Sequence, residues 1–217
     1  MKDKTLIIGD VNELKCILAF EERGYYTSTP FSGSCRYDVI ADINGKLIGI
    51  RGRTLIEDDA ERYGKYRPLY INHILYNHPL SINLYHLNKT KDNIKKSGTA
   101  IIFESEKSTL LYESIYGANK DISVACCGSS ISNYQIELLE SLGVKEVVIA
   151  FDRQFQEIGD KEFKHLTANL AKLHNRYKNE VQLSFIFDKK MITEYKASPI
   201  DCGPQIFLQL FKERIIL

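Results

Sequence analysis

Three apolar segments between residues 99 and 188 constrain this chain most strongly, because each is typical of a buried strand and each ends on a carboxylate. The segments are Ala100–Glu104, Glu146–Asp152 and Gln182–Asp188. Stretches with helical periodicity separate them, which predicts neighbouring parallel strands. Ligands bind at the carboxyl ends of such strands, so the three acids should meet there and repel one another unless a cation lies between them. A hard cation that prefers oxygen, Mg²⁺ or Mn²⁺, is the expected cofactor.

The overall composition excludes nucleic-acid binding through bulk charge. The chain has 29 Lys and Arg residues against 28 Asp and Glu residues, so contacts with nucleic acid would have to come from local patches. Its five cysteines form no CxxC pair and no zinc spacing with the five histidines. We interpret the cysteines as reduced thiols, and His73, His78 and His86 as surface or packed residues rather than ligands. The absence of a long apolar run and of a signal peptide predicts a cytoplasmic protein with no membrane partner.

Residues 1–98 have the pattern of a smaller α+β N-terminal subdomain. We predict a helix over 11–23 and strands over 25–29, 37–41 and 46–51, the last two joined by the Asn44-Gly45 turn. The segment 51–98 is less regular, rich in basic and aromatic residues, and favours a helix only over 81–96.

Residues 99–217 alternate regularly between strands and helices. Strands are predicted over 99–104, 121–126, 145–151 and 181–187, and helices over 107–116, 131–142, 160–178 and 203–213. This alternation is typical of an α/β domain whose sheet is mainly parallel and flanked by helices.

Several motifs follow one another in order along residues 46–217. They are Gly49–Leu55, Gly64–Leu69, Tyr76–Leu80, Glu104–Ser108, Phe151-Asp152 and Tyr195–Gly203. Together they resemble the Toprim-type catalytic core of DNA primases from bacteria and phages. The resemblance implies a Toprim-like fold and the synthesis of RNA primers on single-stranded DNA from ribonucleoside triphosphates. A replicative helicase is the further partner that it implies.

The resemblance also implies roles for individual residues. Glu104 corresponds to a glutamate expected to act in catalysis and to hold the metal, Asp152 to a catalytic metal ligand, and Asp188 to a further metal ligand. Contacts with nucleic acid or nucleotide are implied for a set of basic residues. This set contains Arg51, Arg53, Lys65, Arg67, Lys107 and Lys196. Basic residues interleaved with tyrosines suit a groove that tracks a single strand, although they also suit a solvated face.

The chain departs from the primase pattern at its metal-binding acids. Gln154 replaces the second aspartate of an Asp-x-Asp pair. Either another acid takes its place as ligand, or the site holds fewer metal ions. The candidate substitutes are Glu106, Glu157 and Asp160.

The first 54 residues resemble the start of PD-(D/E)XK endonucleases. In that family Glu13 and Asp38 would hold a metal ion, and the next strand would supply a lysine that positions the attacking water. Here that strand carries Arg53, and arginine stays charged and does not act as a base. The strand therefore lacks the lysine that the nuclease family uses. Two alternatives to a primase stay open: a metal-dependent nuclease of either type, and a catalytically silent DNA-binding subunit.

Overall fold

The structure is a computed structural model of the chain, and it describes residues 35–41, 43–54, 57–63, 66–71, 74–76 and 79–216. These residues form two compact units. The first unit contains residues 35–38 and the described residues within 50–77. The second unit contains the described residues within 39–49 and residues 79–216. The predicted helix over 11–23 and strand over 25–29 lie outside the described residues.

The first sheet has four strands in the order β1-β2-β3-β4. The strands are β1 (Cys35–Ala41), β2 (Leu47–Thr54), β3 (Tyr66–Ile71) and β4 (Ile74–Tyr76), with helix α1 (Glu57–Tyr63) between β2 and β3. Strand β3 pairs antiparallel with both β2 and β4. The sequence predicted β1 and β2 correctly and missed α1, β3 and β4.

The second sheet has five strands in the order β6-β5-β7-β8-β9. The strands are β5 (Thr99–Phe103), β6 (Ser123–Ala125), β7 (Glu146–Ala150), β8 (Gln182–Phe185) and β9 (Ile215–Ile216). The first four are parallel and β9 is antiparallel to β8. The predicted mainly parallel sheet is confirmed, and its three acid-bearing strands are direct neighbours.

Five α-helices in the described part of the second unit complete the α/β architecture. They are α2 (Leu87–Ser97), α3 (Glu106–Tyr116), α4 (Asn133–Ser141), α5 (Lys161–Tyr177) and α6 (Pro204–Lys212). The helix predicted over 81–96 starts only at Leu87, because Tyr85 exchanges backbone hydrogen bonds with Ala125 of β6. Within the described residues, no helix is long and apolar enough to cross a membrane.

Alternation along the central strands creates two apolar layers. On β5, Ala100 and Ile102 belong to one buried cluster, and Ile101 and Phe103 belong to the other. The first cluster includes residues of α2, α4 and α5, and the second includes residues of α3 and α6. Full burial of each large apolar side chain contributes about 1.5–3 kcal/mol, so both layers hold the strand ends in fixed register. The predicted division between residues 98 and 99 stays a prediction.

Candidate active site

Glu104 and Asp152 lie side by side at the carboxyl edge of the second sheet. Their strands, β5 and β7, pair in parallel with Phe103 opposite Ala150, so the chain leaves both strands at the same level. The backbone N–H of Asp152 donates a hydrogen bond to the Glu104 carboxylate. The structure therefore brings together the two acids to which the sequence analysis assigned catalysis.

The pKa of Glu104 is shifted because this carboxyl group is buried beside Asp152. Burial of the carboxyl group, reinforced by the negative charge of Asp152, raises the pKa of Glu104 from 4.5 to about 8, although hydrogen bonds from Gln154 and from the Asp152 backbone oppose the shift. Two carboxylates in a partly desolvated site cannot both stay charged without compensation. The pair therefore holds a proton at neutral pH unless a cation replaces it.

Gln154 contacts the acid pair directly. Its Nε2 donates a hydrogen bond of 2.9 Å to Glu104 Oε1. The reverse amide orientation would place the amide oxygen against a carboxylate, so this contact fixes the orientation of the amide. At the position where an aspartate would add a third negative charge, the chain therefore places a neutral donor.

The three candidate substitutes for the missing aspartate differ in their hydrogen bonding and in their burial. Asp160 caps helix α5 and accepts hydrogen bonds from the backbone N–H groups of Gln156, Glu157 and Phe163. These bonds lower the pKa of Asp160 and occupy both of its oxygens. Glu157 is exposed, whereas Glu106 is buried at the start of α3.

Asp188 follows β8 and serves the loop that comes after it. Its Oδ2 accepts hydrogen bonds of 2.8 Å from both the backbone N–H and the Oγ1 hydroxyl of Thr193, and its Oδ1 accepts one of 3.1 Å from the Ile192 N–H. The side chain is buried. Both oxygens therefore fix the backbone over residues 188–193.

Glu104, Asp152 and Asp188 do not form a tight three-carboxylate cluster. Across the described ranges, one group of three or more His, Cys, Asp or Glu residues has ligand atoms within 4.8 Å of one another, and it consists of His86, Glu113 and Asp121. The assignment of Asp188 as a metal ligand stays a prediction.

Arg153, which the sequence analysis did not select, connects the acid pair to the loop after β8. Its guanidinium donates to Thr193 O at 2.8 Å and to Phe155 O at 2.9 Å, and its Nε lies 3.9 Å from Asp188 Oδ2. The arginine is adjacent to Asp152, but the sequence offers no signal for these contacts because their partners lie up to 40 residues away.

The two predicted lysines in this unit belong to segments next to the acid pair. Lys107, in the first turn of α3, pairs with Asp201 at 2.8 Å. The backbone N–H of Lys196 donates to Arg153 O at 2.9 Å, which places the Tyr195–Gly203 motif beside Asp152. The exposed Lys196 ammonium lies 5.2 Å from the centre of the Tyr195 ring.

The remaining predicted site residues belong to the other unit or lie outside the description. The Arg51 guanidinium lies 5.3 Å from the Tyr66 ring centre. Arg53 is paired with Tyr66 across β2 and β3, and Arg67 with Gly52. Asp38 lies in β1, and only the backbone of Arg53, Arg67 and Asp38 is described. Glu13 and Lys65 lie outside the described residues.

Sequence comparison finds two different relationships. A family model described as PD-(D/E)XK endonuclease matches residues 3–68. The SPbeta prophage-derived uncharacterized protein YorJ of Bacillus subtilis (strain 168) is 36% identical over 181 residues, which is 80% of this chain and 48% of that protein. The chain therefore spans about half the length of this curated relative.

Comparison with solved structures finds bacterial primases. The Aquifex aeolicus primase (zinc-binding and RNA polymerase domains) is 21% identical with a TM-score of 0.59, covering 99% of this chain and 50% of that chain. A DNA primase domain from Pseudomonas aeruginosa is 17% identical with a TM-score of 0.62, covering 94% and 60%. A DnaG primase catalytic domain bound to single-stranded DNA is 19% identical with a TM-score of 0.61, covering 84% and 52%. The chain has the fold of a primase catalytic core, and the predicted resemblances to a primase core and to an endonuclease start are confirmed.

Proposed function

We propose that this chain is a nucleotidyl transferase that makes short RNA primers on single-stranded DNA. The observation that carries the proposal is the Glu104–Asp152 pair at the carboxyl ends of two adjacent parallel strands. Ligands bind at this edge of a parallel sheet, and the primase-core fold makes phosphoryl transfer the chemistry to test first.

The donor atoms of the pair fit a divalent cation. Glu104 and Asp152 offer only oxygen, which Mg²⁺ and Mn²⁺ prefer. The raised pKa of Glu104 means that the pair carries more negative charge than its surroundings stabilise unless a cation or proton binds. Glu104 and Asp152 would hold the ion, which supplies charge neutralisation of nucleotide phosphates when bound.

The protein groups around the pair act by positioning. The Gln154 amide and the Asp152 N–H hold the Glu104 carboxylate in one orientation. In the transfer step a ribose 3′ hydroxyl attacks the α-phosphorus of a ribonucleoside triphosphate and gives up its proton to water. A new P–O bond forms as the bond from the α-phosphorus to the bridging oxygen breaks, and pyrophosphate leaves in line. Catalysis of this step depends on positioning and charge, so small displacements of these carboxylates should cost activity.

Positive charge beside the pair supports nucleotide binding. Lys107 and Lys196 are exposed, and their segments meet Asp201 and Arg153 respectively. We assign these lysines to the triphosphate or to the template phosphates. The Arg51 guanidinium and the Tyr66 ring lie together, and proteins that bind single strands use such cations to contact phosphates and such rings to stack on bases. We assign this pair to the template.

A metal-dependent nuclease is the second candidate, and the family match over residues 3–68 favours it. Such an activity needs no nucleoside triphosphate. If it belongs to the amino-terminal part, it should depend on Glu13 and Asp38 and be indifferent to Asp152.

The test is primer synthesis by the full chain on mixed single-stranded DNA templates with labelled ribonucleotides, in Mg²⁺ and in Mn²⁺. We expect the parent to make short RNAs. In Asp152→Asn the rate of primer synthesis should fall at least about 100-fold, because the cation that neutralises the nucleotide phosphates loses a ligand. Asp92→Asn is the matched control, since Asp92 is an exposed aspartate on α2.

The same gel separates the alternatives. Primer synthesis by Asp152→Asn at the parental rate would overturn the assigned site. Template shortening without nucleotides would assign the chain to the nucleases. Binding of the strands without products in either metal would leave a DNA-binding subunit as the function.

A further inference from the structure

A second group of ligand-type side chains lies at the opposite edge of the same sheet. Asp121 precedes strand β6, whereas Glu104 follows the parallel strand β5, so the two positions flank opposite ends of the strands. The ligand atoms of His86, Glu113 and Asp121 all lie within 4.8 Å of one another. This group is independent of the acid pair and has no part in the proposed primer synthesis.

Three separate elements converge to build the group. Tyr85 exchanges backbone hydrogen bonds with Ala125, and this antiparallel bridge directs His86 back towards the start of β6. His86 then adopts a left-handed conformation with φ of 73° as it enters α2. Glu113 comes from the second half of α3, which has run back from the carboxyl edge.

The distances leave one nitrogen facing two carboxylates. His86 Nε2 lies 3.1 Å from Asp121 Oδ2 and 3.6 Å from Glu113 Oε2. A single N–H can be directed at only one acceptor, and the longer separation exceeds a hydrogen bond. With metal–ligand bonds of about 2.0–2.2 Å, neighbouring ligands of a tetrahedral ion are separated by about 3.3 Å. The two observed separations lie on either side of that value.

The charges and the burial of the three side chains also favour a divalent ion at this position. The side chains of His86 and Asp121 are 8% and 1% exposed, whereas that of Glu113 is 33% exposed. An imidazolium with two carboxylates leaves one negative charge in this buried position, whereas a divalent ion with a neutral imidazole leaves none. Buried charge without compensation is costly, so the divalent ion suits the group better.

The surroundings hold the ligands in place. Asp121 Oδ1 accepts hydrogen bonds from Ser123 N at 2.7 Å and Ser123 Oγ at 2.6 Å, which leaves Oδ2 directed at His86. Asn93 donates to Asp121 O at 2.9 Å and fixes the backbone there. Such outer contacts orient the ligands of metal sites.

We propose that His86, Glu113 and Asp121 bind a divalent transition ion of the Zn²⁺ class. The mixed nitrogen and oxygen donors distinguish this site from the oxygen-only acid pair, which suits Mg²⁺. The ion would join the segment before α2, helix α3 and the loop before β6, and so stabilise the amino edge of the sheet.

The test is calorimetric titration of the metal-free full chain with Zn²⁺, combined with the visible absorption of Co²⁺ as a reporter of tetrahedral geometry. Parent and Asp152→Asn should each bind one equivalent at this site, because Asp152 lies at the other edge. Glu113→Gln should bind at least tenfold more weakly, and Ser123→Ala about tenfold more weakly through loss of ligand orientation. Glu137→Gln, an exposed glutamate on α4, is the matched control and should bind as the parent does.

Thermal unfolding provides a readout that does not depend on the enzyme reaction. Zn²⁺ should raise the unfolding temperature of the parent and of Asp152→Asn, and raise that of Glu113→Gln by less, because only a folded site binds the ion and this variant binds it more weakly. Absence of saturable Zn²⁺ binding in the parent, or equal binding by Glu113→Gln, would overturn the proposal. The group would then be a histidine held between two carboxylates.

Discussion

Asp152 and Asp188 occupy similar positions at the ends of adjacent parallel strands, yet the chain uses them differently. Asp152 stands beside Glu104, whose pKa its charge helps to raise. Asp188 has both oxygens occupied by hydrogen bonds from Ile192 and Thr193. The role of a carboxylate at a strand end therefore depends less on the strand than on the hydrogen-bond donors in the loop that follows it.

Arg153 links the two aspartates. Arg153 follows Asp152 directly and donates to Thr193 O, which belongs to the loop that Asp188 organises. The loop after β8 returns to Arg153 through the backbone of Lys196 and Ala197. One aspartate therefore stands beside Glu104, and the other fixes a loop that contacts Arg153.

The largest effect on stability should come from Asp188→Asn. This change replaces an acceptor oxygen with an NH₂ group against the donors of Thr193 or Ile192, and burial prevents water from compensating. We expect the free energy of unfolding to fall by about 3 kcal/mol. Urea unfolding of the variant beside Asp152→Asn measures the difference.

Asp152→Asn is the matched control, since it removes the same charge at the neighbouring strand end. It should leave stability unchanged or slightly raised because it relieves repulsion with Glu104. Equal losses in the two variants would break the distinction between a loop-forming and a reactive aspartate.

The next effect is a pH dependence that arises from Glu104. Its pKa is raised from 4.5 to about 8 in the folded chain, so between these values the folded state holds a proton that the unfolded state has released. The stability of the metal-free protein should therefore fall as pH rises from 4.5 to about 8, by about 2 kcal/mol after solvent screening is included.

Glu104→Gln should remove this dependence, and unfolding in the presence of a chelator at pH 5, 6.5 and 8.5 measures it. Added Mg²⁺ should restore stability to the parent at the highest of these pH values. A parent and variant with parallel profiles would contradict the electrostatic account of the pair.

Gln154→Asp should give a smaller change. The new carboxylate replaces the amide that now donates to Glu104, so the cation gains an anionic oxygen donor. We expect Mn²⁺ to bind about tenfold more tightly, equivalent to about 1.4 kcal/mol. Titration calorimetry beside Gln154→Ala, which removes the donor without adding charge, separates the two causes. Weaker binding by Gln154→Asp would show that the glutamine itself is the better partner for this site.

The smallest effect is expected at Lys107. Its ammonium pairs with Asp201 but is half exposed, so Lys107→Met should change the free energy of unfolding by only about 0.5 kcal/mol. Binding of ribonucleoside triphosphate should weaken severalfold, as measured by fluorescence of a labelled nucleotide. A loss of stability as large as that of Asp188→Asn would identify Lys107 as a structural residue.

Much of the second sheet could be predicted from the sequence because its strands are apolar runs separated by helices with caps. The predicted helix over 160–178 is observed as α5 (Lys161–Tyr177), with Asp160 as the capping residue. The first sheet was harder. Strand β3 contains Pro68, which argues against a strand, and α1 (Glu57–Tyr63) has no apolar periodicity.

The site was predictable to the extent that strand ends identify it. Glu104 and Asp152 each follow an apolar strand directly, so the parallel arrangement brings them together. The contacts of Arg153 and the approach of His86 to Asp121 depend on long-range packing, which periodicity does not reveal. The loop role of Asp188 was missed because donors four and five residues further on, at Ile192 and Thr193, carry no characteristic pattern.

The most direct test of the central claim is Mn²⁺ binding, measured by electron paramagnetic resonance of the free ion, in the parent, Asp152→Asn and Asp188→Asn. It should be run at a temperature where all three proteins are folded, with Glu113→Gln added to each to weaken metal binding at the His86 group. Asp152→Asn should lose Mn²⁺ binding, and Asp188→Asn should retain it. Retained binding in Asp152→Asn together with loss in Asp188→Asn would contradict the assignment of the Glu104–Asp152 pair as the cation site.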